Sequence, residues 1–336
     1  MSANVVTTEQ SLLRTERLAK FFPVVSDILK RRIGWVRAVD GVDFEVREGE
    51  IFGLVGESGC GKSVLGKTIL GIYPPNAGAV YFEGKQISGL SFDELSRIRK
   101  RIQYVYQDAA ASIDPWWSVA RCLAEPLIAH EQLSRAEIEE RIKEILKAVG
   151  LEERHALRFP HEFSGGQQRR IVLARVLILN PKMIIFDEPT SGLDVSVQAT
   201  ILKLLKRLKE EFRLTYVFIT HDLAVIRMMS HRVAVMYLGK IVEQGDTPLV
   251  FNAPRHPYTK VLLAAIPRID LEKRKEKRAE LMIGEAPNPR EIPTGCRFQT
   301  RCPQVMEICR TQEPSLVDVG DGRKVACHLE GKVPAG

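Results

Sequence analysis

Residues 51–63 read Ile-Phe-Gly-Leu-Val-Gly-Glu-Ser-Gly-Cys-Gly-Lys-Ser. The first five residues are apolar and favour a buried strand, and the segment from Ser63 to Gly71 is compatible with a helix. Residues 56–63, which connect the strand to the helix, match G-x-x-x-x-G-K-[ST]. The glycines of this motif let the backbone wrap around a phosphate chain. A strand, a glycine-rich turn and a helix in this order predict an α/β fold with a phosphate site at the end of the strand.

This phosphate loop predicts individual contacts. We expect Lys62 to reach the β- and γ-phosphates and Ser63 to bind Mg²⁺. The alternative, a chance glycine turn, is disfavoured because a strand precedes it and a helix follows it. The nucleotide-binding residues predicted in this segment are Gly56, Glu57, Ser58, Gly59, Cys60, Gly61, Lys62, Ser63 and Val64.

An acidic element follows at residues 183–188, Met-Ile-Ile-Phe-Asp-Glu. Four apolar residues predict a central parallel strand, and ligands bind at the C-terminal ends of such strands. Asp187 is expected to hold Mg²⁺ and Glu188 to activate the attacking water as a general base. Such a run alone is often a strand end with solvated acids, but next to a phosphate loop it predicts a hydrolytic site.

A second anion site is predicted within Phe163–Gln168, Phe-Ser-Gly-Gly-Gln-Gln. Ser-Gly-Gly at a helix start presents backbone N–H groups and a hydroxyl to an anion. Because the chain already has a phosphate loop upstream, we expect this site to serve a nucleotide held by another subunit, and hence a dimer that closes on ATP. The residues concerned are Ser164, Gly165, Gly166 and Gln167.

Three isolated polar residues complete the pattern. Gln107 follows an apolar strand and is expected to contact Mg²⁺ and water. Asp194 ends a Ser-Gly-Leu-Asp turn before a helix starting near Val195, and His221 ends another strand within reach of a γ-phosphate. Each alone is more often an ordinary turn residue, so the prediction depends on their order and spacing.

At this point the chain resembles the ATP-binding subunits of ABC transporters over about residues 10–250. The resemblance implies that Ser164–Gln168 contacts the opposite subunit's ATP, that Asp194 lies in the cross-dimer loop and that His221 is the switch histidine. It also implies an aromatic residue stacked on adenine, for which Phe22 is the first choice and Phe21 the alternative.

The segment 256–259, His-Pro-Tyr-Thr, resembles the dipeptide/oligopeptide permease group, as does the cysteine-rich tail. This resemblance implies an ATPase subunit that powers di- or oligopeptide import from the cytoplasmic face of the membrane. The implied partners are a second, different ATPase subunit, two transmembrane permease subunits and, indirectly, an extracytoplasmic solute-binding protein. An importer of oligosaccharides or other small solutes, or an ABC ATPase outside transport, is the alternative.

The expected architecture is an α/β, ABC-type P-loop domain over 10–255, with a parallel core sheet, an antiparallel β subdomain and a helical subdomain at about 108–165. A small extension with a cysteine cluster is expected over 256–336. Residues 267–293, rich in charge and proline, are predicted to link the two.

Four cysteines near the C-terminus have the spacing C-x5-C-x6-C-x17-C. ATP chemistry implies a reducing compartment, which disfavours disulfides, and the close C-x2–4-C pairs of zinc sites are absent. Four thiolates on loops suit a [4Fe–4S] cluster, and the resemblance favours that cluster over zinc. The predicted ligands are Cys296, Cys302, Cys309 and Cys327.

Composition limits the remaining classes. Of the 336 residues, 45% are hydrophobic and 27% charged, and no apolar run reaches the about 20 residues that cross a bilayer. The formal net charge of +7 comes without the aromatic-interleaved basic pattern of nucleic-acid binding, so no nucleic-acid partner is expected. Trp116 and Trp117 are adjacent, so at least one is expected to be exposed, either as an interface anchor or beside internal packing.

Overall fold

The computed structural model describes residues 11–26, 31–108, 110–265 and 288–330. The chain divides into two compact units. The first comprises the described residues up to Arg47, the segment Ile51–Gly89 and the described residues from Ile219 onward; the second comprises Glu48–Glu50 and Leu90–Phe218.

The first unit contains a four-stranded antiparallel sheet in the order β2-β1-β4-β5. Its strands are β1 Ser11–Val25, β2 Arg32–Arg47, β4 Ala77–Phe82 and β5 Lys85–Gln86. In β2 the apolar residues Val42, Phe44 and Val46 are buried, and the acidic residues between them are exposed. This alternation arises because successive side chains of a strand point to opposite faces.

A second group of strands in this unit has the order β11-β12-β10-β9-β3. Strand β3 pairs in parallel with β9, whereas the C-terminal strand β12 pairs antiparallel with β10. The chain's tail therefore extends this sheet. The strands are β3 Ile51–Val55, β9 Arg232–Tyr237, β10 Lys240–Asp246, β11 Val317–Asp318 and β12 Lys324–Val325. The helices are α1 Lys62–Ile69, α7 Leu223–Met229, α8 Thr247–Asn252, α9 Pro257–Ala264 and α10 Glu307–Thr311.

The second unit is mainly helical. Its strands β6, β7 and β8 are neighbours in the order β8-β7-β6, with β6 and β7 parallel. They span Ile102–Val105, Met183–Asp187 and Thr215–Ile219, respectively. The helices are α2 Phe92–Arg101, α3 Val119–His130, α4 Arg135–Ala148, α5 Gly165–Leu177 and α6 Val195–Phe212. Short 3-10 turns occur at Ala110–Ser112, Glu153–Leu157 and Pro160–Glu162.

Helix starts in this unit follow local sequence signals. Ser134 caps α4 and Ser164 caps α5, each in a reciprocal arrangement with the residue three positions later. Such a cap contributes about 1 kcal/mol because it satisfies N–H groups that have no partner within the helix. Within α4, Ile142, Ile145 and Leu146 are buried, at the spacing expected of one face of an amphipathic helix.

The predicted α/β architecture is confirmed: parallel core strands, an antiparallel β sheet, and helices between Gln107 and Ser164. None of the helices in the described ranges combines a bilayer-spanning length with a sufficiently apolar sequence. The boundary between a main domain at 10–255 and an extension at 256–336 stays a prediction.

Candidate active site

The phosphate loop of the first unit turns directly into α1. Gly61 is the N-cap of this helix with a φ of 111°, and Gly56 opens the loop with a φ of 156°. A Cβ at Gly61 would lie 1.9 Å from the carbonyl oxygen of Ala38, and one at Gly56 would lie 2.2 Å from that of Met236. The two glycines are therefore required by the backbone around the loop, in addition to any phosphate it binds.

Lys62 occupies the hollow of this loop and is only 6% exposed. Its Nζ donates hydrogen bonds to the carbonyl oxygens of Gly56 (2.8 Å) and Glu57 (2.9 Å). Burial raises the pKa of the neighbouring Cys60 thiol, which therefore stays neutral beside the ammonium. The loop thus holds one enclosed cation, the group that a phosphate chain requires.

The other predicted loop residues surround this cation. Ser58 and Gly59 are exposed, whereas Glu57, Ser63 and Val64 are half-buried. Ser63 follows Lys62 at the start of α1. This position places Ser63 at the helix N-terminus, where an anion and its metal are favoured.

The acidic strand of the second unit is fully buried along β7. Asp187 is 3% exposed, and the hydroxyl of Tyr104 donates a hydrogen bond of 2.7 Å to its Oδ2. Tyr104 lies on β6, opposite Ile185 of the parallel neighbour. No local sequence signal identifies Tyr104 as a site residue, because contacts between strands depend on a register that local sequence does not reveal.

Glu188 has a backbone conformation that is rare for a residue with a side chain. Its φ is 52°, and the residue is 9% exposed. A left-handed conformation costs about 1–2 kcal/mol outside glycine and persists where the surroundings enforce it. The amide of Ser191 donates to the Glu188 carbonyl at 3.1 Å, so the turn after the strand contributes to that constraint.

The predicted second anion site lies at the start of α5. The Oγ of Ser164 accepts a hydrogen bond from the Gln167 amide (3.4 Å), and the Oε1 of Gln167 accepts one from the Ser164 amide (3.1 Å). A cavity of about 430 Å³ adjoins this helix start, lined in part by Gly150, Arg170 and Thr200. The serine and glycines are therefore at an accessible helix N-terminus, as the sequence predicted.

Arg169 connects this helix to the turn after Glu188. Its NH1 donates to the carbonyl oxygen of Pro189 (2.9 Å) and its NH2 to that of Ser191 (2.7 Å). A shift of α5 would therefore be transmitted to the segment that follows the acidic strand. Sequence reasoning missed this contact, since an arginine in a helix has many possible partners.

The isolated polar residues lie at the predicted ends of elements. Asp194 caps α6: its Oδ1 accepts a hydrogen bond of 2.9 Å from the Val197 amide. This hydrogen bond holds the pKa of Asp194 below its usual range. His221 is exposed in the turn between β8 and α7, and Gln107 is exposed just after β6.

The adenine-stacking residue is not distinguished by the structure. The half-buried Phe22 on β1 meets the ring of Tyr73 edge-to-face, with centroids 5.4 Å apart. The Phe21 ring lies 5.7 Å from the guanidinium carbon of Arg37. The assignment to Phe22 therefore stays a prediction.

The predicted residues are shared between the two units. The phosphate loop, Phe22 and His221 belong to the first. The second contains Gln107, Ser164–Gln168, Asp187, Glu188 and Asp194.

The four C-terminal cysteines lie near one another but do not form a recognisable ligand set. Burial, followed by the nearby thiols of the other three, raises the pKa of Cys296 to about 11. Within the described part of the chain, no three His, Cys, Asp or Glu side chains are arranged to hold a metal ion. The geometry of the described residues therefore gives no support to the [4Fe–4S] cluster, or to zinc as its alternative, and the cluster stays a prediction. The cysteines in question are Cys296, Cys302, Cys309 and Cys327.

One of the two adjacent tryptophans is exposed, as expected. Trp116 is 83% exposed, whereas Trp117 is covered by Arg121, whose guanidinium carbon lies 4.1 Å from the ring centroid.

A strand–loop–helix phosphate site, a buried acidic strand and a Ser-Gly-Gly helix start define the class of P-loop ATPases. Residues 39–191 match the family described as ABC transporter, and residues 242–309 match the one described as oligopeptide/dipeptide transporter, C-terminal region. The chain therefore belongs to the ATP-binding subunits of ABC transporters.

Curated relatives match over nearly the whole chain. It is 45% identical to the oligopeptide transport ATP-binding protein AppF of Bacillus subtilis, covering 96% of this chain and 98% of the relative. It is 42% identical to the di/tripeptide transport ATP-binding protein DppF of Pseudomonas aeruginosa, covering 95% and 98%.

Solved structures are similar over the ATPase fold. The cbiO1 structure from Clostridium perfringens, part of the ABC transporter complex cbiONQ, has a TM-score of 0.63 and 29% identity. It covers 73% of this chain and 92% of that one. A dimeric post-hydrolysis state of the cassette MJ0796 bound to ADP and Pi has a TM-score of 0.61 and 32% identity, covering 70% and 98%.

Proposed function

We propose that this chain is the ATPase subunit of a multi-subunit importer that takes up di- or oligopeptides across the cytoplasmic membrane. The observation that carries the substrate class is the match of residues 242–309 to the C-terminal region of oligopeptide/dipeptide transporters. Relatives named for peptide transport support it over the full length. The chain would act at the cytoplasmic face, beneath two permease subunits. An extracytoplasmic solute-binding protein would deliver the peptide to these subunits.

ATP and Mg²⁺ are the proposed ligands of the phosphate loop and the acidic strand. Lys62, already enclosed by two loop carbonyls, would contact the β- and γ-phosphates, and the amides at the start of α1 would contact the remaining oxygens. Ser63, Gln107 and Asp187 would hold Mg²⁺. Tyr104 would orient the Asp187 carboxylate, since its hydroxyl already donates to one oxygen.

Hydrolysis would depend on Glu188 and His221. A carboxylate at the end of a buried strand, held in a left-handed backbone conformation, is suited to accept a proton from the attacking water. His221 would hydrogen-bond to the γ-phosphate as charge develops on it.

The second half of each site would come from the partner ATPase, which we propose to be a different chain. Ser164–Gln167 would contact the partner's nucleotide, and Asp194 would lie in the cross-dimer loop. The similarity to a cassette solved as a dimer with ADP and Pi supports this arrangement.

The test is reconstitution of this chain with its permease and ATPase partners in proteoliposomes. We expect ATP hydrolysis to rise when a peptide-loaded binding protein is added, with peptide accumulating inside. Glu188→Gln should abolish both while leaving the complex assembled. Stimulation by an oligosaccharide but by no peptide would reject the proposed substrate, and hydrolysis without any transported solute would favour a role outside import.

The iron–sulfur cluster predicted from the sequence is a separate, finer proposal. Its support is the spacing C-x5-C-x6-C-x17-C of four cysteines near the C-terminus and the resemblance of this tail to the permease group. Anaerobically purified protein would contain about four iron and four sulfide per chain if the proposal is correct. Protein without iron or sulfide that is fully active would reject it.

A further inference from the structure

The second residue of the phosphate loop, Glu57, is held by two residues from the C-terminal part of the chain. The hydroxyl of Tyr258 accepts a hydrogen bond from the Glu57 amide at 2.9 Å. The guanidinium of Arg301 binds both carboxylate oxygens of Glu57, at 2.9 and 3.0 Å. All three residues belong to the same compact unit. Two-point pairing of this kind fixes orientation as well as position.

Tyr258 is itself immobilised by the His-Pro-Tyr segment. The Nδ1 of His256 accepts the Tyr258 amide at 3.0 Å and caps α9. The carboxylate of the buried Glu243 accepts the amides of Arg255 and His256, each at 2.9 Å. The segment that marks the permease group is therefore internal, and it directs the Tyr258 hydroxyl at the loop.

Arg301 is fixed by an aromatic cluster. The rings of Tyr237, Tyr258 and Phe298 contact one another, with centroids 4.5 to 5.4 Å apart. The guanidinium carbon of Arg301 lies 5.9 Å from the Tyr237 ring and 5.8 Å from the Phe298 ring. Arg301 is only 6% exposed, whereas the Glu57 side chain is 30% exposed, so their pairing is partly shielded from solvent and salt.

Glu57 in turn contacts the cation of the loop. Its carbonyl oxygen, together with that of Gly56, accepts the hydrogen bonds of Lys62 Nζ. A continuous series of contacts therefore joins Tyr258 and Arg301 to Glu57, and Glu57 to Lys62.

We propose that Tyr258 and Arg301 are positioning residues for ATP binding: they fix the peptide unit at Glu57 and thereby set the place of Lys62. The inference rests on the proposed role of Lys62 as a phosphate ligand. It gives the C-terminal region, which the ATPase fold alone does not require, a direct influence on nucleotide affinity.

The expected signature is a change in ATP affinity without a matching loss of turnover. A loop freed from Tyr258 or Arg301 must be ordered when ATP binds, and that ordering lowers affinity. We expect Arg301→Gln and Glu57→Gln each to raise the KM for ATP about five-fold, with kcat within two-fold. Arg301→Lys keeps the charge but loses the two-point geometry, so it should lie between wild type and Arg301→Gln.

A double-mutant cycle tests whether Arg301 acts through Glu57. The double variant should raise KM no more than either single change, because both remove one interaction. Independent effects would multiply to about 25-fold and would overturn the proposal. An unchanged KM in both single variants would overturn it as well.

Controls separate positioning from loss of fold. Arg255→Gln breaks the ion pair with Glu330 (2.7 Å), which also joins the tail to the rest of the unit but involves no residue of 56–63. It should leave KM unchanged. Tyr258→Phe keeps the ring in the cluster and removes only the hydroxyl, so it should raise KM even if Arg301→Gln fails to fold. A Tyr258→Phe variant with the wild-type KM would contradict the proposed contact.

Calorimetric titration of ATP into the full chain makes this test independent of transport. If ATP binds with the predicted differences among variants while no peptide is imported, the proposed function fails and the inference stands. If the chain imports peptide and all variants bind ATP equally, the inference fails and the function stands.

Discussion

The chain contains two predicted anion sites with glycines, and the reason why glycine is needed differs between the two sites. In the phosphate loop, a Cβ at Gly61 or Gly56 would collide with backbone carbonyl oxygens of the chain itself. At the start of α5, a Cβ at Gly165 would meet no described residue within 4 Å outside its own helix and chain neighbours. The first site is therefore built by its own unit. A Cβ at Gly166 would lie 3.3 Å from Val197, so only Gly165 has no explanation within the chain. Glycine at that position is explained by something that approaches from outside, for which the nucleotide of a partner subunit is the proposed candidate.

The largest expected effect comes from placing a methyl group in the first site. Gly61→Ala puts a Cβ 1.9 Å from the Ala38 oxygen on a backbone with a φ of 111°, so we expect the free energy of unfolding to fall by about 3 kcal/mol or more. ATP binding measured by calorimetry should be lost. The matched control is Gly59→Ala, where φ is also positive but the Cβ meets open space; it should cost only about 1 kcal/mol. Equal losses in the two variants would remove the steric argument.

A methyl group in the second site should affect catalysis alone. Gly165→Ala should leave thermal stability unchanged or slightly raised, because alanine favours a helix over glycine. Hydrolysis in the assembled ATPase pair should fall about 100-fold, the usual effect of displacing donors from a developing charge. ATP affinity of the single chain should not change. Normal turnover in this variant would break the comparison, since glycine would then be unnecessary at α5.

Acid should weaken the unit that contains the first site. Burial lowers the pKa of His256 to about 3, whereas an unfolded histidine titrates near 6.5. Between these values the unfolded chain binds one more proton, so stability decreases as pH falls below about 6.5, by up to about 1.4 kcal/mol per pH unit. His256→Asn retains a capping side chain and should flatten this dependence in denaturant titrations at pH 5 and 7. The control is His161→Asn, since His161 is exposed. If this variant flattens the pH dependence of stability to a similar degree, the assignment of that dependence to His256 is wrong.

The smallest expected effect separates the structural and functional parts of Ser164. Ser134 and Ser164 cap α4 and α5 in the same reciprocal arrangement, so replacing either with alanine should lower the free energy of unfolding by about 1 kcal/mol. Hydrolysis by the ATPase pair should drop only in Ser164→Ala. If Ser134→Ala impairs hydrolysis equally, the effect of Ser164 is on folding and not on the nucleotide.

The sequence predicted features whose signals are local. The loop glycines, the apolar strand before Asp187 and the helix start at Ser164 are each indicated by residues within the element or directly beside it. The family's motif order then supplied roles for isolated residues such as His221.

Contacts across the fold could not be read in this way. The pairing of Tyr104 with Asp187, and of Arg301 with Glu57, joins residues 83 and 244 positions apart. An arginine or tyrosine has many candidate partners at such separations. The metal site expected from the cysteine spacing stays a prediction for the same reason, since spacing along a loop does not determine how thiols converge.

The central claim is that ATP is held between two ATPase subunits by the start of α5. Its most direct test is sedimentation of Glu188→Gln protein, mixed with its partner ATPase, with and without Mg²⁺ and ATP. We predict that ATP drives a stable dimer, and that adding Gly165→Ala abolishes the dimer while each chain still binds ATP. A dimer that forms equally well with Gly165→Ala, or a single wild-type chain that hydrolyses ATP at the full rate, would contradict the claim.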